Sequence, residues 1–321
     1  MTGSTRLPPL AKAILDGDRR ALARTISSIE NGDPLVGPAL RALYPRTGRA
    51  PVIGLTGPLG VGKSSLLSVL IGRLRERGKT VGVVAVDPSS PFTGGSVLGD
   101  RIRLERKPND DGVFFRSMAS RGEAGGIAAS TREVARLLDA AGFDVVFVET
   151  VGSGQVDVAV RGVASTSVVV LVPHLGDEVQ TLKAGLFEIA DVFCVNKADL
   201  PGADLAAKDL SELVALGAAR DGWAPPIVPT STTAPSGIDE LWSAVGAHEE
   251  FLDRTGLRTR HERARLSVEI AERVKDRVGH EVAERLQRDP ELRRLLDRVV
   301  ARTLDPSSAA EELFRKRYAR T

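Results

Sequence analysis

One cysteine stands in the chain, Cys194, so no intramolecular disulfide can form. It lies inside the apolar run Asp191-Val-Phe-Cys-Val195, where a thiol reads as a small core residue and suits a reducing compartment. Aromatic residues are scarce, 4% of 321. Proteins that grip single-stranded nucleic acid stack its bases on exposed rings, and this composition excludes such a platform. Charge of one sign is missing too: 44 basic residues face 42 acidic ones, a formal net charge of +2. With no dominant field, neither nucleic acid nor a membrane surface is an expected partner. The four histidines, at 174, 248, 261 and 280, are never clustered. No apolar run approaches the ~18 residues a membrane span needs. The N-terminal stretch also lacks the apolar core of a signal peptide. A cytoplasmic protein is expected.

Glycine, by contrast, is plentiful, with 32 residues. Three of them shape the most informative stretch, Gly57-Pro-Leu-Gly-Val-Gly-Lys-Ser-Ser65, which reads G-x-x-x-x-G-K-S. Gly57, Gly60 and Gly62 free the backbone to curl until successive N–H groups point into one concavity. An anion held there also meets the positive end of the following helix. Lys63 is placed to reach the β- and γ-phosphates, and the Ser64 hydroxyl to ligate Mg²⁺. Pro58, Leu59, Val61 and Ser65 complete the phosphate contact. The flanks agree: Pro51-Val-Ile-Gly-Leu-Thr56 reads as a buried strand, and Ser65-Leu-Leu-Ser-Val-Leu-Ile71 as an apolar helix. The stretch is read as binding a nucleoside triphosphate rather than as an ordinary Gly-rich turn.

Residues 1–47 have a helical pattern, with Leu10, Ile14, Leu15, Leu22, Ile26 and Ile29 at helical spacing and a break at Asn31-Gly-Asp-Pro34. They form an expected N-terminal helical extension. From 48 to 245 apolar, β-branched runs at 51–56, 80–86, 113–117, 144–149, 166–172, 191–195 and 226–229 alternate with helical stretches such as 128–140 and 178–190. That alternation predicts an α/β domain with a doubly wound, mostly parallel sheet. Residues 246–321 read as a purely helical arm, with Leu266, Ile270, Val274 and Val278 in an i+4 row and a cleaner stripe from Leu292 to Leu304. These stripes need burial, either against the domain or against a second subunit.

Two further motifs carry chemistry. Val195-Asn-Lys-Ala-Asp199 ends an apolar strand and reads N-K-x-D. The Asp199 carboxylate can accept from both N1–H and the exocyclic amine of guanine, donors that adenine lacks in that geometry. Asn196 either bonds the base edge or ties this loop to the phosphate loop, and the Lys197 stem covers the base face. Ser231, Thr232 and Thr233, after the next strand, fit a backbone loop lining the base, though their composition also suits any turn. The other motif, Asp144-Val-Val-Phe-Val-Glu-Thr-Val-Gly152, ends a strand in E-x-x-G. Glu149 falls where an acid on the metal side belongs, and Gly152 offers a backbone N–H to sense a γ-phosphate. Asp87 ends another strand and Asp100 follows a Gly-rich stretch. Mg²⁺ takes one or two carboxylates beside phosphate oxygens and water, so only some of Asp87, Asp100 and Glu149 need touch it. Asp100 also suits a plain helix cap. Gln155 is a candidate for orienting water. Gly176 to Gly185 suits an amphipathic helix or a segment that responds to nucleotide.

With these residues in place, the chain resembles the MeaB-type members of the G3E family of GTPases, the methylmalonyl-CoA mutase-associated chaperones. The likeness is densest in Val84-Ala-Val-Asp-Pro-Ser-Ser-Pro-Phe-Thr-Gly-Gly-Ser-Val-Leu-Gly-Asp100, which resembles that subgroup's first switch. Glu149-Thr-Val-Gly-Ser-Gly-Gln-Val-Asp157 continues it, with Glu where most GTPases carry Asp. The likeness spans about 7 to 255. It implies GTP hydrolysis to GDP with Mg²⁺, a homodimer, and an adenosylcobalamin-dependent methylmalonyl-CoA mutase as the partner whose cofactor loading and protection the nucleotide state gates. By motif it implies phosphate and Mg²⁺ roles for Lys63, Ser64, Asp87, Asp100 and Glu149, and guanine reading by Asn196, Lys197 and Asp199. Residues 177–185 match a third switch, with Lys183 a candidate to complete the site. Ser231-Thr-Thr233 departs from the Ser-Ala more usual there.

Two other classes are weighed. A metal-delivery GTPase of a sister branch needs soft or imidazole ligands, which four scattered histidines and one cysteine do not supply. A P-loop kinase would commonly take ATP, which Asp199 disfavours.

Overall fold

Valine and isoleucine on both faces of short strands form a sheet that must be covered on both sides. The computed structural model describes residues 7–87, 110–119, 129–150, 160–173, 186–215 and 220–318. The expected site residues Asp100, Gly152, Gln155 and Lys183 lie outside these, as does the side chain of Asp87. Seven strands make one sheet: β1 (Val52–Thr56), β2 (Val81–Asp87), β3 (Val113–Ala119), β4 (Val145–Thr150), β5 (Thr166–Leu171), β6 (Val192–Val195) and β7 (Ile227–Pro229). Their order is β3-β2-β4-β1-β5-β6-β7, and every neighbouring pair is parallel. This is the doubly wound α/β fold that the alternation predicts.

Eleven α-helices are seen among the described residues. Three precede the sheet: α1 (Pro9–Leu15), α2 (Arg19–Glu30) and α3 (Gly37–Leu43). Asp18 caps α2 by accepting from the N–H groups of Arg20 and Ala21 at 2.8 and 3.0 Å. The buried face of α2 (Leu22, Ile26, Ile29) joins the core that also holds Val84, Phe114 and Val146. Arg116 of β3 donates to Ser27 and Glu30 of α2, fastening the helical extension to the edge of the sheet.

The other face is covered by α4 (Lys63–Glu76). Leu66, Leu67, Leu70 and Leu74 recur at helical spacing and pack with Ile53, Leu55 and Phe147. The chain continues through α5 (Ala129–Ala140), α6 (Leu186–Ile189), α7 (Ala203–Ala215) and α8 (Ile238–Thr255). Ile238, Leu241 and Val245 of α8 join the α4 side of the core. At the amino ends of β5 and β6, α8 is held by polar contacts as well. His248 Nδ1 lies 2.7 Å from Thr166 Oγ1, and Thr166 donates to Glu249 at 2.5 Å.

Contacts divide the chain into two compact units, residues 1–258 and 259–321. α8 runs through position 246, where the helical arm is expected to start, with its apolar face in the core. What ends α8 is Gly256, in the left-handed region at φ 70°. After it come α9 (Leu257–Arg288), α10 (Pro290–Val300) and α11 (Pro306–Tyr318). In the second unit Asp289 caps α10, donor Glu291 N at 2.9 Å, and Leu292, Leu295 and Ala309 are buried. Val268, Ile270 and Val274 of α9 are 56, 62 and 56% exposed. No described helix is long and apolar enough to cross a membrane.

Candidate nucleotide site

In an open α/β sheet ligands bind beyond the carboxyl ends of the strands, near the point where the strand order reverses. Here β1 is central, between β4 and β5, and the loop from Gly57 to Gly62 leaves its carboxyl end. Gly57 has φ 141°, and an added Cβ would stand 2.2 Å from the Val170 carbonyl oxygen of β5. Gly62 has φ 89°, and its Cβ would stand 2.6 Å from the Asn196 amide nitrogen. Only glycine fits either place, and the backbone of the loop can curl as the motif requires.

Gly62 is the N-cap of α4 and contributes no side-chain cap, so the helix starts with N–H groups and dipole facing the loop. Lys63 opens the helix. Its side chain is buried, and Nζ donates to the carbonyls of Gly57 and Pro58, each at 2.7 Å. The ammonium thus sits within the ring of the loop. Ser64 Oγ donates to Glu149 Oε1 at 2.6 Å, across from the end of β4. Glu149 is only 4% exposed, and its backbone pairs in register with Leu55. A serine hydroxyl and a carboxylate meeting beside a phosphate loop are the hard oxygen donors that suit Mg²⁺. Pro58, Leu59 and Gly60 form the outer rim, with Leu59 70% exposed.

The second half of the site comes from β6. Asn196 is buried, and its side-chain amide donates to the Val61 carbonyl at 2.8 Å. Of the two expectations for this residue, the tie to the phosphate loop is the one seen. Lys197, in the left-handed region at φ 58°, turns back so that Nζ donates to the Gly60 carbonyl at 2.8 Å. Asp199 is exposed, and Ser231 Oγ donates to its Oδ1 at 2.5 Å. That bond restrains one carboxylate oxygen of an otherwise exposed side chain. Ser231 and Ser236 exchange backbone hydrogen bonds, both 3.1 Å, closing a turn on which Thr232 and Thr233 lie.

Thr230, in the same Ser/Thr-rich stretch after β7, has a side-chain role that its residue type does not reveal. It is fully buried, and Oγ1 donates to Asn196 Oδ1 at 3.2 Å while lying 3.1 Å from Cys194 Sγ. The thiol is the donor in that contact, since the one hydroxyl hydrogen is used on Asn196. Burial pushes the Cys194 thiol up to about 12, so it is held as S–H. The only signal for Thr230 was a hydroxyl residue at the end of a strand, which is also ordinary turn composition.

A parallel sheet, a Gly-rich loop running into a helix, and a lysine inside that loop define a P-loop nucleotide-binding protein. The family model described as methylmalonyl-CoA mutase-associated GTPase MeaB matches residues 22–287. The chain belongs to the MeaB family, within the G3E class of GTPases, and hydrolyses GTP. A protein of Pyrococcus abyssi named as a GTPase is 46% identical over 312 residues, covering 96% of this chain and 95% of that one. The mitochondrial methylmalonic aciduria type A homolog of Caenorhabditis elegans is 30% identical, over 95% of this chain and 82% of the relative. Among solved structures, that of a LAO/AO transport system kinase superposes with TM-score 0.67 at 27% identity, covering 95% of each chain.

Proposed function

We propose that this GTPase is the nucleotide-gated chaperone of an adenosylcobalamin-dependent methylmalonyl-CoA mutase, timing the loading and protection of the cobalamin cofactor. The reading is carried by the family match over residues 22–287, which takes in the whole of the candidate site. The relationship to a methylmalonic aciduria type A homolog supports the same partner. The chain works as a homodimer, and the exposed Ile270 and Val274, one turn apart on α9, support that assignment. Such apolar exposure on a helix needs a cover.

The loop N–H groups and the start of α4 hold the phosphates, and Lys63 leaves its two carbonyls to meet the β- and γ-oxygens. Asp199 reads guanine, while Asn196 and Lys197 brace the reading segment against the phosphate loop. Ser64 and Glu149 hold Mg²⁺, with Asp87 and Asp100 as further acids on that side. Bound there, the ion neutralises charge on the transferring phosphoryl group. Gly152 senses the γ-phosphate through its N–H, Gln155 orients the attacking water, and Lys183 completes the site. Phosphoryl transfer needs positioning and charge stabilisation more than a strong base, so turnover is slow alone and rises with the partner.

The test uses purified components. GTP hydrolysis is followed alone and with an adenosylcobalamin-dependent methylmalonyl-CoA mutase, and complex formation is measured with GDP and with a non-hydrolysable GTP analogue. Faster hydrolysis and nucleotide-dependent binding are expected; a rate and an affinity indifferent to the mutase would sink the chaperone reading. Light scattering of the chain alone tests the dimer.

A further inference from the structure

Beyond Leu55↔Glu149, the last paired rung of β1 and β4, the side chains change character. Val146 and Val148 of β4, and Ile53 and Leu55 of β1, are buried apolar side chains. The final residues, Thr56 and Thr150, are both threonines with no exposure at all. Thr150 Oγ1 donates to Thr56 Oγ1 at 2.9 Å. Valine has the same shape and at least the same strand preference, so packing alone does not ask for hydroxyls here. The bond between them is one that a valine at either position cannot make.

The pair sits where two functional segments begin. Thr56 directly precedes Gly57 of the phosphate loop, and Thr150 directly follows Glu149. Because side chains alternate across a sheet, Glu149 points to the α4 face and Thr150 to the opposite one. On the α4 face Ser64 holds Glu149 at 2.6 Å. On the other face the threonine bond holds β4 against β1. The end of β4 is therefore tied to the first turn of α4 on one face and to the end of β1 on the other. The register Leu55↔Glu149 places the tie one residue beyond the acid.

We infer that the Thr56–Thr150 hydroxyl pair positions Glu149 relative to the phosphate loop, and so sets how tightly Mg²⁺ and nucleotide bind together. The inference rests on the assignment of Mg²⁺ to Ser64 and Glu149 made above. Mg²⁺ demands near-ideal octahedral geometry at about 2.0–2.1 Å and does not follow a displaced ligand. A small splaying of β4 from β1 would therefore be felt in metal affinity before it is felt in phosphate binding. Thr56 and Thr150 are positioning residues; neither is placed to touch nucleotide.

The experiment measures release of a fluorescent GDP analogue from the full chain across a Mg²⁺ titration, with EDTA as the metal-free point. The wild-type chain should release nucleotide more slowly as Mg²⁺ rises; indifference to Mg²⁺ overturns the metal assignment and this inference with it. In Thr150→Val the Mg²⁺ concentration for half-maximal slowing should rise about tenfold, in the range for loss of a partner that orients a metal ligand. Release in EDTA should stay within about twofold, because the phosphate loop is intact. Thr150→Ser should restore the wild-type titration, and Thr56→Val should reproduce the shift without adding to it in the double variant. If Thr150→Val fails to accumulate, Thr56→Val against Thr56→Ser makes the same comparison. With a Mg²⁺-sensitive wild type, an unshifted midpoint in the valine variants overturns the inference. So does a serine variant as impaired as the valine one, or an equal loss in EDTA.

Discussion

The side-chain amide of Asn196 donates to the backbone carbonyl of Val61 at 2.8 Å, joining the end of β6 to the phosphate loop that leaves β1. Thr230 completes the arrangement by donating to the other end of the same amide at 3.2 Å. The amide group is buried and used at both ends, so it ties the N-K-x-D segment to the phosphate loop.

Replacing Asn196 by Ala should therefore weaken GDP by about 10- to 100-fold, the range for leaving buried polar partners unpaired. The loss should appear equally with inosine and guanine nucleotides, because it acts on the loop and not on base choice. Titration with fluorescent nucleotides measures both; a loss confined to guanine would place Asn196 on the base instead.

Asp199 governs base choice in this reading. Asp199→Asn replaces one acceptor by an amide donor, which suits the C2 carbonyl of xanthine and not the amine of guanine. GDP affinity should fall at least about 100-fold while XDP binds better, a discrimination typical of sites built to hydrogen-bond their ligand. Competition between the two nucleotides decides it, and an unchanged GDP preference would remove Asp199 from the base.

Gly62 meets two constraints together, φ 89° and a close approach to the Asn196 amide. Gly62→Ala should cost about 1–3 kcal/mol of stability through backbone strain. It should also abolish nucleotide binding at micromolar concentrations. A thermal melt with and without GDP reads both effects, and an alanine variant still stabilised by GDP contradicts the geometry.

Away from the site, Asp144 at the start of β4 accepts the Thr80 N–H at 2.7 Å and the Thr80 hydroxyl at 2.8 Å. The backbone N–H first, then the hydroxyl and Lys79, hold this carboxyl below its ordinary value of 3.8. A depressed folded value means that the stabilisation is complete above the ordinary value and vanishes as pH falls through the depressed one. Asp144→Asn should lower the urea midpoint at pH ~7, and the gap to wild type should close as pH falls through the depressed value. A gap constant with pH would show that the charge contributes nothing.

The seven strands were legible as apolar, β-branched runs, because a strand buried on both faces leaves a continuous signature in the chain. The phosphate loop was legible for a related reason: its φ angles and its closeness to Val170 admit only glycine, so the constraint is written as residue type. The end of the α/β unit was not legible. Strand alternation stops after β7, yet α8 still packs on the sheet, and an amphipathic helix carries the same pattern whether it covers this sheet or another surface. The role of Thr230 was not legible because a hydroxyl at a strand end looks like any turn until its partner, far along the chain, is seen beside it.

By itself, then, the sequence determined that the chain holds a curled, glycine-built phosphate loop, a separate N-K-x-D segment and an acid, Glu149, that opens E-x-x-G at the end of a strand. Each is local, set by steric permission or by the chemistry of adjacent residues. Only the tertiary structure decided that Ser64 meets Glu149, that Asn196 braces Val61, that Ser231 orients Asp199 and that Thr150 pairs with Thr56. Those contacts depend on strand order and register, which place β4 and β5 on either side of β1. Spacing along the chain carries no record of which strands will be neighbours.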